Sequence, residues 1–221
     1  MEGMGEQIRR CVIVGAAVFE NAMFLKHFLC EDDYVIAADG GLRLLNAMGV
    51  VPHAIIGDFD SSPCPDGVDV PVRCLPTHKD DTDVFAAAKE ALALGYREFL
   101  LLGCLGGRLD HTLSNLFLLR FLHENNAHGL LVDEHHEVSL LTSGEHTVSC
   151  RNNCYFSLLP FGGDARGVTI RGAEYPLENA TLDTVFPLGV SNGFLSSDVT
   201  VSLQDGCLLL ILAQKDGVTS F

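Results

Sequence analysis

Tryptophan is absent from this 221-residue chain and basic residues are scarce, with 14 Lys+Arg against 29 Asp+Glu and a formal net charge of −15. That acidic balance excludes nucleic acid and anionic membranes as general electrostatic partners, so an anionic substrate needs metal ions or locally placed cations. No uninterrupted apolar run reaches the roughly 20 residues of a membrane span, and the opening residues lead straight into a strand-like pattern. The expectation is a soluble, cytoplasmic protein. Eight cysteines occur without a CxxC pair. Cys11, Cys30, Cys64, Cys74, Cys104 and Cys207 are scattered, only Cys150 and Cys154 lie close together, and all read as reduced thiols rather than zinc ligands. The absence of GxxxxGK[ST] excludes a P-loop kinase, and low-complexity linkers and repeats are also missing.

What is present is a 48% hydrophobic composition, enough core for one large domain or two small ones. Short apolar runs recur at residues 11–17, 34–40, 54–60, 72–76, 98–106 and 129–134. Their run-like character predicts strands buried on both faces, hence a mostly parallel α/β sheet flanked by helices. Between them, "DTDVFAAAKEALALGY" has helical spacing, with Asp81 able to cap its start and Gly95 able to end it. Residues 109–127 form a second helix pattern, with Leu113, Leu116, Phe117, Leu119 and Leu122 as its apolar stripe. After about residue 135 the helical periodicity stops. Short strand-like segments separated by Gly, Pro, Asn and Asp then predict a small antiparallel β-sandwich. The expected division is an α/β catalytic domain over 1–135 and a β-sandwich domain over 136–221.

In an open α/β sheet, ligands collect beyond the carboxyl ends of the strands. Polar residues fall there four times: Asp39 in "ADGG", Asp58 and Asp60 in "GDFDSS", Lys79, Asp80, Asp81 and Asp83 in "THKDDTD", and Arg108, Asp110 and His111 in "GGRLDH". Glycines at 40, 41, 106 and 107 would let the backbone approach a ligand closely, and the helix starting near Leu109 offers amide donors to a phosphate. Hard oxygen donors without Cys or paired His favour Mg²⁺ over zinc, and Lys79 and Arg108 supply fixed positive charge for phosphates. Metal-assisted phosphoryl-type transfer follows as the expected chemistry. A competing reading takes "IIGDFDSS" as the DxDx(T/V) nucleophile motif of haloacid-dehalogenase-type phosphatases. The later motifs of that class do not follow in order.

The ordered combination of "ADGGLRLLNAMGVVPHAIIGDFDS", "HKDDTDVFAAAKEAL", "LLGCLGGRLDHTLSNLFLL" and "GVSNGF" resembles the thiamine pyrophosphokinase (thiamine diphosphokinase) family over essentially the whole chain. The resemblance implies transfer of the terminal diphosphate of ATP to the hydroxyl of thiamine, leaving AMP and thiamine diphosphate. By motif it implies Asp58, Asp60 and Asp83 as Mg²⁺ ligands with Asp39 and Asp80 nearby. It also implies Lys79, Arg108 and Asp110 at the polyphosphate, Ser114 and Asn115 on the nucleotide side, and Ser191 and Asn192 at thiamine. It further implies a homodimer with shared active sites. One departure stands out: some members place a tryptophan from the last strands against thiamine, and the aligned position here is Leu210, with Phe194 as a nearby aromatic. Two alternatives remain open, a diphosphokinase of another small alcohol such as a pterin, and a non-catalytic thiamine- or nucleotide-binding regulator.

Overall fold

The structure is a computed structural model that describes residues 10–17, 19, 21–60, 69–76, 80–195 and 197–215. The chain divides into two compact units, Met1–Glu134 and His135–Phe221. The first unit holds β1 (Arg10–Val14), β2 (Tyr34–Ala38), β3 (Ala54–Gly57), β4 (Val72–Cys74), β5 (Glu98–Leu102) and β6 (His128–Val132). These pair in parallel in the order β6-β5-β1-β2-β3-β4. Helices α1 (Ala22–Lys26), α2 (Gly41–Met48), α3 (Asp83–Ala93) and α4 (Leu109–Glu124) connect them. This is the expected mostly parallel sheet with flanking helices, and a smaller β-rich unit follows it.

The apolar runs form strands because covering both faces requires apolar side chains at every position. The last four residues of β1, β2 and β5, and all of β3, are buried. β4 departs from that expectation. It lies at the β3 end of the order with Arg73 and Cys74 exposed, because an end strand has a neighbour on one side only.

Both helices expected from periodicity are present, with two corrections. Thr82, not Asp81, caps α3: its side chain accepts from the Phe85 N–H at 3.3 Å, whereas both Asp81 oxygens lie 2.7 Å from Lys89 Nζ. Gly95 follows the end of α3 with φ +94°, as a left-handed terminator. On α4 the buried face is Asn115, Leu118, Leu119 and Leu122. Leu113 and Phe117, expected within the apolar stripe, are 47% and 57% exposed. The buried stripe is therefore rotated, with an amide in it, for a reason that emerges at the site.

Opposite the carboxyl ends of the strands, Arg10 at the start of β1 makes a two-pronged ion pair with Asp33, Nε to Oδ1 at 2.8 Å and Nη2 to Oδ2 at 2.7 Å. Asp33 Oδ2 also accepts from the Cys30 N–H, and Arg10 Nη2 donates to the Phe28 carbonyl. The pair fixes the turn that leads into β2.

The second unit contains β7 (His136–Val148), β8 (Cys154–Pro160), β9 (Ala165–Arg171), β10 (Leu177–Leu182) and β11 (Val199–Gln214), all paired antiparallel. β11 runs beside β7 with an irregularity between Leu203 and Cys207, while it also pairs with β9 from Thr200 to Asp205 and with β8 from Leu208 to Gln214. Gly206 allows that bend with φ +92°; a Cβ there would stand 2.5 Å from the Asp164 carbonyl. Phe156, Leu158, Val168, Ile170, Val201 and Leu208 close the core between the two sets of strands.

Asp33 has 3% side-chain exposure and Arg10 33%. Asp33→Ala would leave a guanidinium and an amide without their acceptor, and is expected to lower stability by about 2–3 kcal/mol. A thermal melt followed by circular dichroism measures this; an unchanged midpoint would show that the pair contributes nothing net.

Candidate active site

In the first unit β1 lies between β5 and β2, so the sheet grows one way through β2, β3 and β4 and the other way through β5 and β6. Such a reversal opens a crevice at the carboxyl ends, where ligands of open α/β sheets bind. Both strands that border it run directly into a glycine, Gly15 after β1 and Gly103 after β5. The Gly15 N–H donates to the Leu102 carbonyl at 2.7 Å and the Ala17 N–H to the Gly103 carbonyl at 3.0 Å. A Cβ on Gly15 would lie 2.5 Å from the Gly103 oxygen, and one on Gly103 (φ +66°) 2.5 Å from the Gly15 oxygen. Sequence reasoning passed over this pair, although a glycine directly after each of the apolar runs "CVIV" and "EFLLL" was a usable signal. Beside them, the Cys104 thiol donates to the Leu102 carbonyl at 3.3 Å, and burial pushes its pKa up to about 12. That thiol is inert packing.

Asp39 follows β2 directly. Its N–H donates to the Ile56 carbonyl at 2.8 Å, and its backbone is left-handed, φ +46°. A Cβ on Gly57, the last residue of β3, would lie 3.0 Å from Asp39 Cα, so β3 ends in glycine to admit this strained aspartate. Asp39 Oδ1 is buried and makes no hydrogen bond, an unusual state for a carboxylate oxygen and one that a cation or donor would relieve. Asp58 and Asp60 come next. The Asp60 N–H donates to Asp58 Oδ1 at 3.2 Å, and Phe59 between them is also left-handed, φ +52°, with its ring packed on the core below. This turn holds Asp58 half-buried and Asp60 exposed. Asp83 stands half-buried in the first turn of α3, and Asp80 is exposed ahead of it. Lys79 lies outside the described residues. Among those residues no three His, Cys, Asp or Glu side chains already stand together as a cation cage.

Arg108 is the N-cap residue of α4. It is not a lone cation: its Nη2 lies 2.7 Å from Asp110 Oδ2 and its Nε 3.2 Å from Oδ1. The hydrogen bond to Asp110 is the main cause of the raised Arg108 pKa, with a smaller contribution from the charge of Asp60 across the rim. The Arg108 hydrogen bond chiefly, helped by the His111 N–H, holds the Asp110 carboxyl below its usual range. Asp110 Oδ1 accepts that N–H at 3.0 Å, so this part of the helix start expected to receive phosphate already carries a carboxylate. Of the glycines expected to admit a ligand, Gly106 and Gly107 are left-handed with open space where a Cβ would be. Gly41 instead makes room for the Val14 carbonyl, 1.8 Å from the position of its missing Cβ.

Ser114 is half-buried on α4. Asn115, assigned from sequence to the nucleotide side, is 5% exposed, and its Nδ2 donates to the Cys104 carbonyl at 2.7 Å. It occupies the apolar stripe because it anchors the loop that carries Gly103, Gly106, Gly107 and Arg108. Thr112 Oγ1 adds bonds to the carbonyls of Gly106 and Arg108.

In the second unit Ser191 is exposed and left-handed, φ +59°, with its N–H donating to Ser157 Oγ at 3.0 Å. Asn192 is 5% exposed, and its amide is engaged inside the unit at both ends. Phe194 packs against Phe156 at 5.1 Å between ring centroids, and Leu210 is 9% exposed within the core. Leu210 is buried and Phe194 partly buried against that core.

The first unit is thus an open parallel α/β unit with an acidic rim at its switch point, of the kind that binds phosphorylated ligands, and an antiparallel β unit follows it in the chain. Residues 25–130 match the family description "Thiamin pyrophosphokinase, catalytic domain", and residues 145–208 match "Thiamin pyrophosphokinase, vitamin B1 binding domain". The thiamine pyrophosphokinase of Bacillus subtilis (strain 168) is 30% identical over 182 residues, 80% of this chain and 85% of that protein. The crystal structure of the Bacillus subtilis thiamine pyrophosphokinase superposes with a TM-score of 0.84 at 27% identity, covering 94% of this chain and 100% of that one. The thiamin pyrophosphokinase structure from Geobacillus thermodenitrificans gives 0.82 at 28% identity, covering 94% and 99%. The chain belongs to the thiamin pyrophosphokinase family.

Two outcomes test this description. Asn115→Ala leaves the Cys104 carbonyl without its donor and should cost about 1–3 kcal/mol, with faster amide hydrogen exchange confined at first to residues 103–108. Replacing Arg108 by Ala should raise the Asp110 titration midpoint, followed by NMR, toward the ordinary carboxyl value. Because the folded pKa is depressed, the pair's contribution is present above the unfolded value and is lost as pH falls through the folded one. An unmoved midpoint in the Arg108 variant would refute the pairing.

Proposed function

We propose that this protein is a Mg²⁺-dependent thiamine diphosphokinase, transferring the diphosphate of ATP to the hydroxyl of thiamine and releasing AMP and thiamine diphosphate. The observation that supports this reading best is the distribution of the matches. The catalytic-domain description falls on the unit with the acidic rim, and the vitamin-binding description falls on the β unit.

The donor set fits the metal. Carboxylate oxygens without thiolate or imidazole suit a hard cation, and Asp39 Oδ1 is a buried acceptor in need of a partner. Asp58, Asp60 and Asp83 would hold Mg²⁺, with Asp39 and Asp80 beside them. When bound, the ion supplies charge neutralisation for the polyphosphate and polarises the phosphorus under attack. The chain's own residues do the rest. The crevice beyond β1 and β5 receives the nucleotide, and Gly106 and Gly107, with open space beside their backbone, offer main-chain groups to its phosphates. Arg108, steered by Asp110, and Lys79 meet the negative charge that develops on the α–β bridging oxygen as it leaves. The thiamine hydroxyl is neutral at physiological pH, so a rim carboxylate accepts its proton as the oxygen bonds to the β-phosphorus. Ser191 belongs to the acceptor side, and the working form is a cytoplasmic homodimer; light scattering of the active protein tests the dimer.

Purified protein given ATP, Mg²⁺ and thiamine should form AMP in proportion to thiamine, and chelation of Mg²⁺ should abolish this. Asp58→Asn and Asp60→Asn should each lower kcat/KM by about 100-fold or more without loss of fold. ADP as the nucleotide product, or AMP only with a different alcohol, would overturn the proposal.

A further inference from the structure

The family resemblance places Asn192 at thiamine, yet both ends of its buried amide are engaged within the unit. Oδ1 accepts from the Tyr175 N–H and the Gly193 N–H, both at 2.9 Å, and Nδ2 donates to the Tyr175 carbonyl at 2.8 Å. Its main chain exchanges two bonds with Phe156, at 2.8 and 3.0 Å. The amide therefore behaves as a short piece of strand, pairing with both polar groups of Tyr175 while the following N–H closes back on it. Beside it, the Glu174 N–H donates to the Gly193 carbonyl at 2.9 Å. Removing a buried amide of this kind strands three main-chain groups at once.

What this clamp presents is the Tyr175 side chain, 63% exposed, on a backbone tied to the residue next to Ser191. Other aromatics of the unit are placed differently. Phe194 packs on Phe156, and Lys215 Nζ lies 4.5 Å from the Tyr155 ring centroid. Phe186 belongs to a turn held by the Asp183 carboxylate. A large ring left in water on a fixed backbone is the arrangement that aromatic recognition uses, and its electron-rich face suits a cation. Glu174 adds a carboxylate at the same corner: its Oε2 lies 2.5 Å from where a Gly193 Cβ would stand.

Resting on the reading of this unit as the acceptor-binding part, we infer that Asn192 is a positioning residue that never touches the acceptor, and that Tyr175, which it holds, supplies the stacking face for a cationic heteroaromatic alcohol. Tyr175 thereby takes the part for which the chain has no tryptophan, and Glu174 favours a positive over a neutral ring.

Steady-state kinetics on the full chain, with thiamine and ATP varied separately, test this. Tyr175→Leu should raise the KM for thiamine about 5- to 20-fold and leave the KM for ATP within about two-fold. Tyr175→Phe, which keeps the ring, should recover most of that loss. Asn192→Ala should show the same thiamine-selective rise, with faster exchange of the Tyr175 and Gly193 amides. Should it fail to fold, the exposed Tyr175 variants still decide. The chain has four tyrosines and no tryptophan, so intrinsic tyrosine emission gives a binding readout without turnover: thiamine should quench it, and Tyr175→Phe should remove that quench. Normal AMP formation with an unchanged thiamine KM in Tyr175→Leu overturns the inference alone. Absence of AMP from the wild-type protein overturns the proposed function instead, and the quench then decides the role of Tyr175 separately.

Discussion

The first unit depends on a steric constraint at the middle of its sheet. β1 can lie against β5 and beneath the start of α2 only because Gly15, Gly41 and Gly103 have no side chains. Each missing Cβ would fall within 2.5 Å of a neighbouring carbonyl oxygen. With the backbones this close, the sheet grows in opposite directions from β1, and the loops after β2, β3 and β5 are brought to one rim. Any side chain at these three positions would collide with backbone and push the elements apart.

Around the cleft, charge is arranged by local geometry rather than by burial. Asp58 is fixed by the N–H of Asp60, Asp110 by Arg108 and the His111 N–H, and Asp81 by Lys89. Asp39 is the exception, left-handed and with one buried oxygen unsatisfied. Local strain and an unmet acceptor coincide at a position where a bound cation would relieve the second. In the β unit a related device appears without charge: Asn192 substitutes for a length of strand and fixes the corner from which Ser191 and Tyr175 project.

Much of the fold was legible because both-face burial writes itself into sequence as continuous apolar runs. "YVIAADG" and "EFLLLGCLG" could hardly be anything else, and β2 and β5 lie within them. β4 was misjudged for burial because the run "VRCLP" does not reveal that only one neighbour flanks it. The α4 stripe was misplaced because an apolar count favours Phe117 over Asn115, whereas the loop carbonyl of Cys104 required a buried donor. The carboxylates of the rim stood out through their repetition at successive strand ends. Asn115 and Asn192 also stood out, but their main-chain partners did not, since a polar side chain near a site looks the same in sequence whether it faces a ligand or the backbone.

The sequence by itself determined the strand and helix content, the acidic character of the rim and the family, because these depend on residue types and their order. Only the tertiary structure decided which polar side chains are consumed internally and which remain available. Hydrogen-bond partners such as Asn115 with Cys104, or Asn192 with Tyr175, are separated by 11 and 17 positions. A donor's partner is fixed by where the backbone returns in space, and no local pattern records that.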